Sequence, residues 1–294
     1  EGLSFGAGDA VIGLNPVTDS PEQVGKVLRR FQEIKEHWQI PTQICVLAHV
    51  TAQIKAVKAG APCDLIFQSI AGSQKGNEAF GFSAATLEEA RQLLLKQGTA
   101  AKGVAISFDS RHMSPEFAKE TALCMAANGI KVRIYDALMP VPALSFATRY
   151  YNCNAGIMVT ASHNPAKYNG YKAYGPDGCQ MTDDAAAIVY NEIQKTDVLT
   201  GAKYMSFAAG VEEGLIRFVG DDCKRALYDA IESRQVRPGL CKTAGLKLVY
   251  SPLNGSGLVP VTQVLKDIGI TDITIVPEQE YPNGYFTTCS YPNP

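Results

Sequence analysis

A chain of 294 residues is long enough for one large or two ordinary domains with a sizeable core. Its 27 Lys and Arg face 29 Asp and Glu, a formal net charge of −2, so bulk charge points neither to nucleic acid nor to an anionic membrane. There is no basic-then-apolar leader, no apolar run near the ~18 residues of a membrane span, and no CxxC or metal-ligand spacing among the eight cysteines; together these predict a cytoplasmic protein with reduced thiols.

The first stretch alternates strand and helix. DAVIGLNP (9–16) predicts a short buried strand ending at Asn15, after which Ser20-Pro21 supplies an N-cap and a proline at the first helical position. Val24, Val27, Leu28, Phe31 and Ile34 recur at helical spacing, with Lys26, Arg29, Arg30, Glu33 and Lys35 on a solvated face. A second strand is expected over 44–50, a helix through TAQIKAVKAG to Gly60, and a third strand over 65–70. Such alternation implies parallel pairing, with functional side chains at the carboxyl ends of strands, where Asn15, His49 and Gln68 fall. His49 reads as a hydrogen-bonded core histidine rather than a ligand.

TLEEARQLLLKQG then predicts a helix opened by a Thr-x-x-Glu capping box at Thr86 and closed at Gly98. A new alternation follows: a strand over 103–109, a helix from Ser114-Pro115 to Gly129, the strand KVRIYD, a helix near 142–152, and the strand AGIMVT. TDDAAAIVYNEIQK and the stretch around 212–233 read as helices, while 246–252 and 272–276 read as strands around another helix. The chain is α/β throughout, with a division near 195–210. GAGDA (6–10) and GSG (255–257) lack the spacing of a dinucleotide or P-loop fingerprint.

GIMVTASHNPAKYNGYK (156–172) places a serine where a strand stops. No GxSxG surrounds Ser162 and no acidic triad partner is identifiable, which argues against acyl transfer. A serine that carries a phosphoryl group needs backbone N–H donors, cations and usually a divalent ion. His163 supplies a donor, Asn164 and Pro165 fix the turn, and Lys172 follows a tight KYNG loop that brings its ammonium back toward Ser162. Arg111, in FDSRHMS after another strand, adds a second cation. Taken alone, Ser-His-Asn-Pro is more often an ordinary exposed turn, since short motifs match by chance.

TASHNPAKYNGYKAYGPDGCQ resembles the active-serine signature of the α-D-phosphohexomutases, the phosphoglucomutase and phosphomannomutase family. ISFDSRHMSPEFA, PVPALSFA, YSPLNGSG and the terminal TTCSYPNP resemble the same family in the expected order, with Val141 in place of a common threonine. The resemblance implies a phosphoserine at Ser162, which also gives an oxygen to Mg2+. It places His163, Lys172 and Arg111 around the transferred phosphoryl group, with Lys172 a general acid/base. Hexose phosphate and hexose bisphosphate are the implied partners; no nucleic acid or membrane is implied. The chain starts without methionine and stops at PNP, so both ends read as cut. The family's metal loop, of the form DGDxDR, is expected past Pro294, and mutase turnover is expected to be negligible without it.

EGLSFGAGDAVIGLNPVTDS, IPTQICVLAHVTAQIKAVKAGAP and LIFQSIAGSQKGNEAFG resemble an internal stretch of the ethanolamine ammonia-lyase large subunit, a (β/α)8 barrel that uses adenosylcobalamin. This implies a substrate contact for Asn15 and cobalamin contacts for Pro16 and Gln68. A few strands of a barrel leave open edges and cannot enclose a corrin ring, so no cobalamin activity is expected. The expected layout is a partial barrel segment over 1–90, one complete mixed-sheet phosphoserine domain over 97–200, and an incomplete second domain of the same type over 205–294. The join is expected between 85 and 98. A mutase lineage leads, ahead of a lyase fragment and a non-catalytic phosphosugar-binding module.

Overall fold

The computed structural model describes residues 11–289 except 17, 41, 72, 198 and 199, so GAGDA and the last residues of TTCSYPNP lie outside the described residues. The chain divides into two compact units, 1–100 and 101–294.

The first unit carries β1 (Val11–Leu14), α1 (Pro21–His37), β2 (Gln43–Val46), α2 (Val50–Lys58), β3 (Leu65–Ile66), α3 (Gln74–Ala79) and most of α4 (Ala84–Lys102). The strands pair in parallel in the order β1-β2-β3, an open sheet of three. α1 starts as its sequence dictates: Ser20 Oγ accepts from Gln23 N (3.2 Å), and Pro21 fills a position where no N–H is needed. Its buried stripe, Val24 and Leu28, packs with Ile44, Val46, Ala52 and Ala56.

Two expectations change here. The strand expected to run to Val50 stops at Val46, because His49 caps α2: its Nδ1 accepts from Thr51 N at 3.3 Å and its Nε2 lies 2.6 Å from Phe80 O. The helix expected from Thr86 to Gly98 starts earlier and ends later. Ser83 Oγ accepts from Thr86 N (3.3 Å) while Thr86 Oγ1 accepts from Ser83 N (3.2 Å), a reciprocal cap with Ser83 in the leading position. Gly98 is passed through, and the stop comes at Gly103, whose φ of 73° and contact with the Lys131 carbonyl leave no room for a side chain.

The second unit carries β4 (Val104–Phe108), α5 (Ser114–Ala127), β5 (Val132–Ile134), α6 (Val141–Tyr150), β6 (Ala155–Val159), β7 (Tyr171–Tyr174), α7 (Asp183–Ile193), α8 (Phe207–Glu212), β8 (Ile216–Phe218), α9 (Asp221–Glu232), α10 (Leu240–Thr243), β9 (Lys247–Tyr250), α11 (Leu258–Asp267), β10 (Asp272–Ile275) and α12 (Pro277–Glu280). Five strands form a mixed sheet in the order β7-β6-β4-β5-β8, all parallel except β7. Central β4 is buried along its whole length. Ala105 joins Tyr135, Leu144 and Met158 on one face, and Ile106 and Phe108 join Ala118 and Ala122 on the other, which is why VAISF is apolar without alternation. β9 and β10 pair in parallel as a separate two-stranded sheet.

Two further strands depart from the sequence reading. YKAY, read as the far side of a loop, is β7, antiparallel to β6. The stretch around 212–233, read as helix, contains β8: Gly214 at φ 70° follows the end of α8, and IRF then pairs with β5. β8 lies in the part of the chain assigned from sequence to the second domain, yet it completes the first domain's sheet. No helix among the described residues is long and apolar enough to cross a membrane, and all eight cysteines are free thiols.

Candidate functional site

β4 and β6 are parallel neighbours, so their carboxyl ends bring Asp109-Ser110-Arg111 beside Thr160-Ala161-Ser162. Asp109 N donates to Val159 O (3.2 Å), and the Asp109 carboxylate ties the two ends together. Its Oδ2 accepts from Thr160 Oγ1 (2.6 Å), and its Oδ1 accepts from Arg111 N (3.0 Å) and Ser114 Oγ (2.8 Å). Thr160 Oγ1 in turn accepts from Ser162 N at 3.0 Å.

The serine turn is wrapped on Arg111. This side chain is 1% exposed, and its four terminal N–H groups go to four carbonyls. Nη1 donates to Pro165 O (3.1 Å) and Tyr168 O (2.9 Å), and Nη2 donates to Ser162 O (2.9 Å) and Asn164 O (2.6 Å). Nε sits 3.4 Å from Asp109 Oδ2 without a hydrogen bond. Burial pulls the guanidinium pKa down, opposed by the Asp109 charge. With its carbonyls turned inward, the turn leaves Ser162 and His163 exposed, their Oγ and Nδ1 3.4 Å apart. Ser162 adopts φ 56°, a left-handed conformation costing a non-glycine residue about 1–3 kcal/mol, which the Arg111 clasp offsets.

Arg111 therefore lies beside Ser162 as expected, but it holds the turn from beneath and offers no terminal N–H to the space around the serine hydroxyl. Lys172 sits on β7 opposite Met158, half-buried; among the described residues its side chain has no hydrogen bond or ion pair, and nothing bonds it to Ser162. The sequence reading passed over Asp109 and Thr160 and took Asn169 and Gly170 only as part of a tight loop. Asn169 Nδ2 donates to His112 O (3.0 Å) and Ser114 Oγ (2.9 Å), and its Oδ1 accepts from Gly170 N (2.8 Å). The signal for Asp109 and Thr160 is their place at strand ends; for Asn169 and Gly170 it is the Asn-Gly pair. A later segment covers the same loop: the Tyr285 ring stacks on His112 at 5.8 Å, and Arg111 Cζ lies 5.4 Å from the Phe286 ring centroid.

The described residues do not by themselves fit Mg2+. Both Asp109 oxygens are engaged within the turn, and among the described residues no group of three His, Cys, Asp or Glu is placed to hold a metal.

In the first unit Asn15 and Pro16 follow β1 directly and Gln68 follows β3, all at carboxyl ends. Gln68 Oε1 accepts from Val50 N (2.8 Å) and its Nε2 donates to Ser69 O (3.0 Å), so its amide serves its own backbone. It shares a cavity of about 220 Å3 with Asp19 and His49. That is below the ~300–1,000 Å3 of ordinary small-molecule sites, and these residues do not fit a corrin ring. Titration with adenosylcobalamin, followed by the corrin absorbance, is expected to show no saturable binding; micromolar saturation would overturn this.

Three family profiles match the chain. "Ethanolamine ammonia lyase large subunit (EutB)" matches residues 1–135, and "Phosphoglucomutase/phosphomannomutase, alpha/beta/alpha domain I" and "domain II" match 74–199 and 227–294. A phosphoglucomutase of Staphylococcus epidermidis is 35% identical over 191 residues, 65% of this chain and 34% of the relative. An ethanolamine ammonia-lyase large subunit of Salmonella typhimurium is 60% identical over 91 residues, 31% of this chain and 20% of the relative. The chain thus spans about a third of the first relative and a fifth of the second. A crystal structure described as a phosphomannomutase from Thermus thermophilus superposes with a TM-score of 0.53 at 23% identity, covering 66% of this chain and 41% of that one, which shows the fold. The chain resembles the ethanolamine ammonia-lyase large subunit over its earlier part and the first two α/β/α domains of the phosphoglucomutases and phosphomannomutases over its later part, the two matches overlapping at residues 74–135.

Proposed function

We propose that the later part of the chain carries the phosphoserine half of a phosphoryl-transfer site of the sugar-phosphate mutase type, in the cytoplasm, with Ser162 as the carrier, hexose phosphate and hexose bisphosphate as partners, and negligible turnover by itself. The observation that carries this reading is the serine turn. A buried cation gathers the carbonyls underneath, and the hydroxyl stands exposed beside an imidazole at the carboxyl ends of the parallel strands β4 and β6. A phosphoryl group on Ser162 Oγ meets His163 as a hydrogen-bond donor. Lys172, whose side chain has no polar partner among the described residues, serves as the general acid/base for the sugar hydroxyl. Arg111 acts as a positioning residue. Mg2+ belongs to this reading as the group that would neutralise the phosphoryl dianion, with Ser162 as one ligand; among the described residues no group of three His, Cys, Asp or Glu is placed to complete such a site. The division at 1–90, 97–200 and 205–294 belongs to this reading, with β8 carried by the middle domain.

Incubation with a hexose 1,6-bisphosphate and Mg2+, followed by intact-mass and peptide mass spectrometry, tests the assignment. One phosphate per chain, mapped to Ser162 and absent from Ser162→Ala, is expected. Steady-state conversion of hexose 1-phosphate is expected to match the Ser162→Ala background. Phosphate at another residue, or none at all, would count against the carrier role. A second reading, a phosphosugar-binding module without turnover, is favoured by the engagement of both Asp109 oxygens within the turn. Metal-independent binding of hexose phosphate with no phosphate on Ser162 would select it.

A further inference from the structure

The opposite end of the five-stranded sheet carries a cavity that phosphoryl transfer at Ser162 does not use. It has a volume of about 360 Å3 and is lined by Ala101, Lys102, Lys131, Arg133, Tyr151 and Asn152. Lys102 closes α4 just before β4, Lys131 precedes β5, and Arg133 is the middle residue of β5. The serine turn leaves the other end of these strands. The five residues of β4 separate the two places by roughly 16 Å at ~3.3 Å per residue.

Three cations line this space and no carboxylate does. None of the three has an ion-pair partner among the described residues, whereas Lys35, Lys58, Lys224 and Arg225 are all paired. Arg133 is half-buried, its Cζ 4.7 Å from the Tyr151 ring centroid. The Tyr151 hydroxyl is fixed in turn by Gly220 N, which donates to it at 3.0 Å. The guanidinium therefore lies over a ring whose hydroxyl is held, and among the described residues its N–H groups have no hydrogen-bond acceptor. Next to it, Asn152 takes φ 52°. Lys102 and Lys131 are exposed and Arg133 is half-buried, so all three remain charged and face one hollow whose lining holds no negative group to balance them. A chain of net charge −2 does not produce such a cluster through bulk composition.

We infer that this cavity is a second anion site, for a small molecule carrying a chain of phosphoryl groups. Its volume lies within the ~300–1,000 Å3 of small-molecule sites, and three cations match a diphosphate better than a single phosphate. The inference does not depend on the role of Ser162.

Isothermal titration with inorganic pyrophosphate in 0.1 M salt tests it. Saturable one-to-one binding is expected, weakening at least fivefold in Lys131→Gln and tenfold in Arg133→Gln. Ser162→Ala and the exposed control Lys195→Gln should bind like the unmodified chain. Lys131 is exposed, so that variant keeps the test valid if Arg133→Gln unfolds, which circular dichroism would reveal. Absence of saturable binding, equal affinity in Lys131→Gln, loss of binding in Ser162→Ala, or sulfate binding as tightly as pyrophosphate would each overturn the proposal.

Discussion

Arg111→Met is expected to destabilise the second unit by about 3–5 kcal/mol and to abolish phosphate incorporation at Ser162. Methionine fills much of the arginine volume, so the loss isolates the charge and its hydrogen bonds. Four carbonyls on residues 162 to 168 lose their donors, and Asp109 keeps its charge with one cation fewer. The left-handed φ of Ser162 then has nothing to hold it. Arg111→Lys should fare nearly as badly, because an ammonium cannot present a planar fork to two pairs of acceptors. Urea unfolding gives the stability change and mass spectrometry gives the labelling. A loss below about 1 kcal/mol, with labelling intact, would show that the turn holds its shape without the clasp.

Gly170→Ala is the second large effect. A Cβ at this position would stand 2.6 Å from Thr160 O and 3.4 Å from Thr160 C. These are backbone atoms at the end of β6, and Thr160 N donates to Gly170 O at 3.0 Å, so neither strand can yield alone. A cost of about 1–3 kcal/mol is expected. The relief available is to push β7 outward, which moves Lys172 and releases the Asn169 bridge to Ser114. Labelling of Ser162 should fall at least tenfold, with the fold retained by circular dichroism; wild-type labelling in a folded Gly170→Ala protein would refute the close approach.

The contrast between these positions and Ser162 explains what was legible in the sequence. Ser162, His163 and the strand before them were readable because the apolar run GIMV ends abruptly on polar residues, a local pattern. α1 was readable for the same reason, since its cap and apolar stripe lie within 17 residues. The task of Arg111 was not, because its acceptors lie 51 to 57 residues away and are backbone carbonyls that no side-chain pattern announces. β7 was hidden by length: the four residues Tyr-Lys-Ala-Tyr, straight after an Asn-Gly turn, look like loop until β6 supplies the partner. β8 fails similarly, its three residues set between two helices. His49 looked like a strand terminus and is one turn further on, capping a helix.

α4 spans both the expected join at 85–98 and the boundary at residue 100 without a break. Within a helix each N–H finds its acceptor four residues back in the same segment, so the backbone asks nothing of either ancestry. Only Ala90 of this helix is buried, which leaves most of its surface uncommitted to a partner. A seam placed within such a helix would be chemically silent, since a change of lineage in the middle of a rod would break none of its hydrogen bonds.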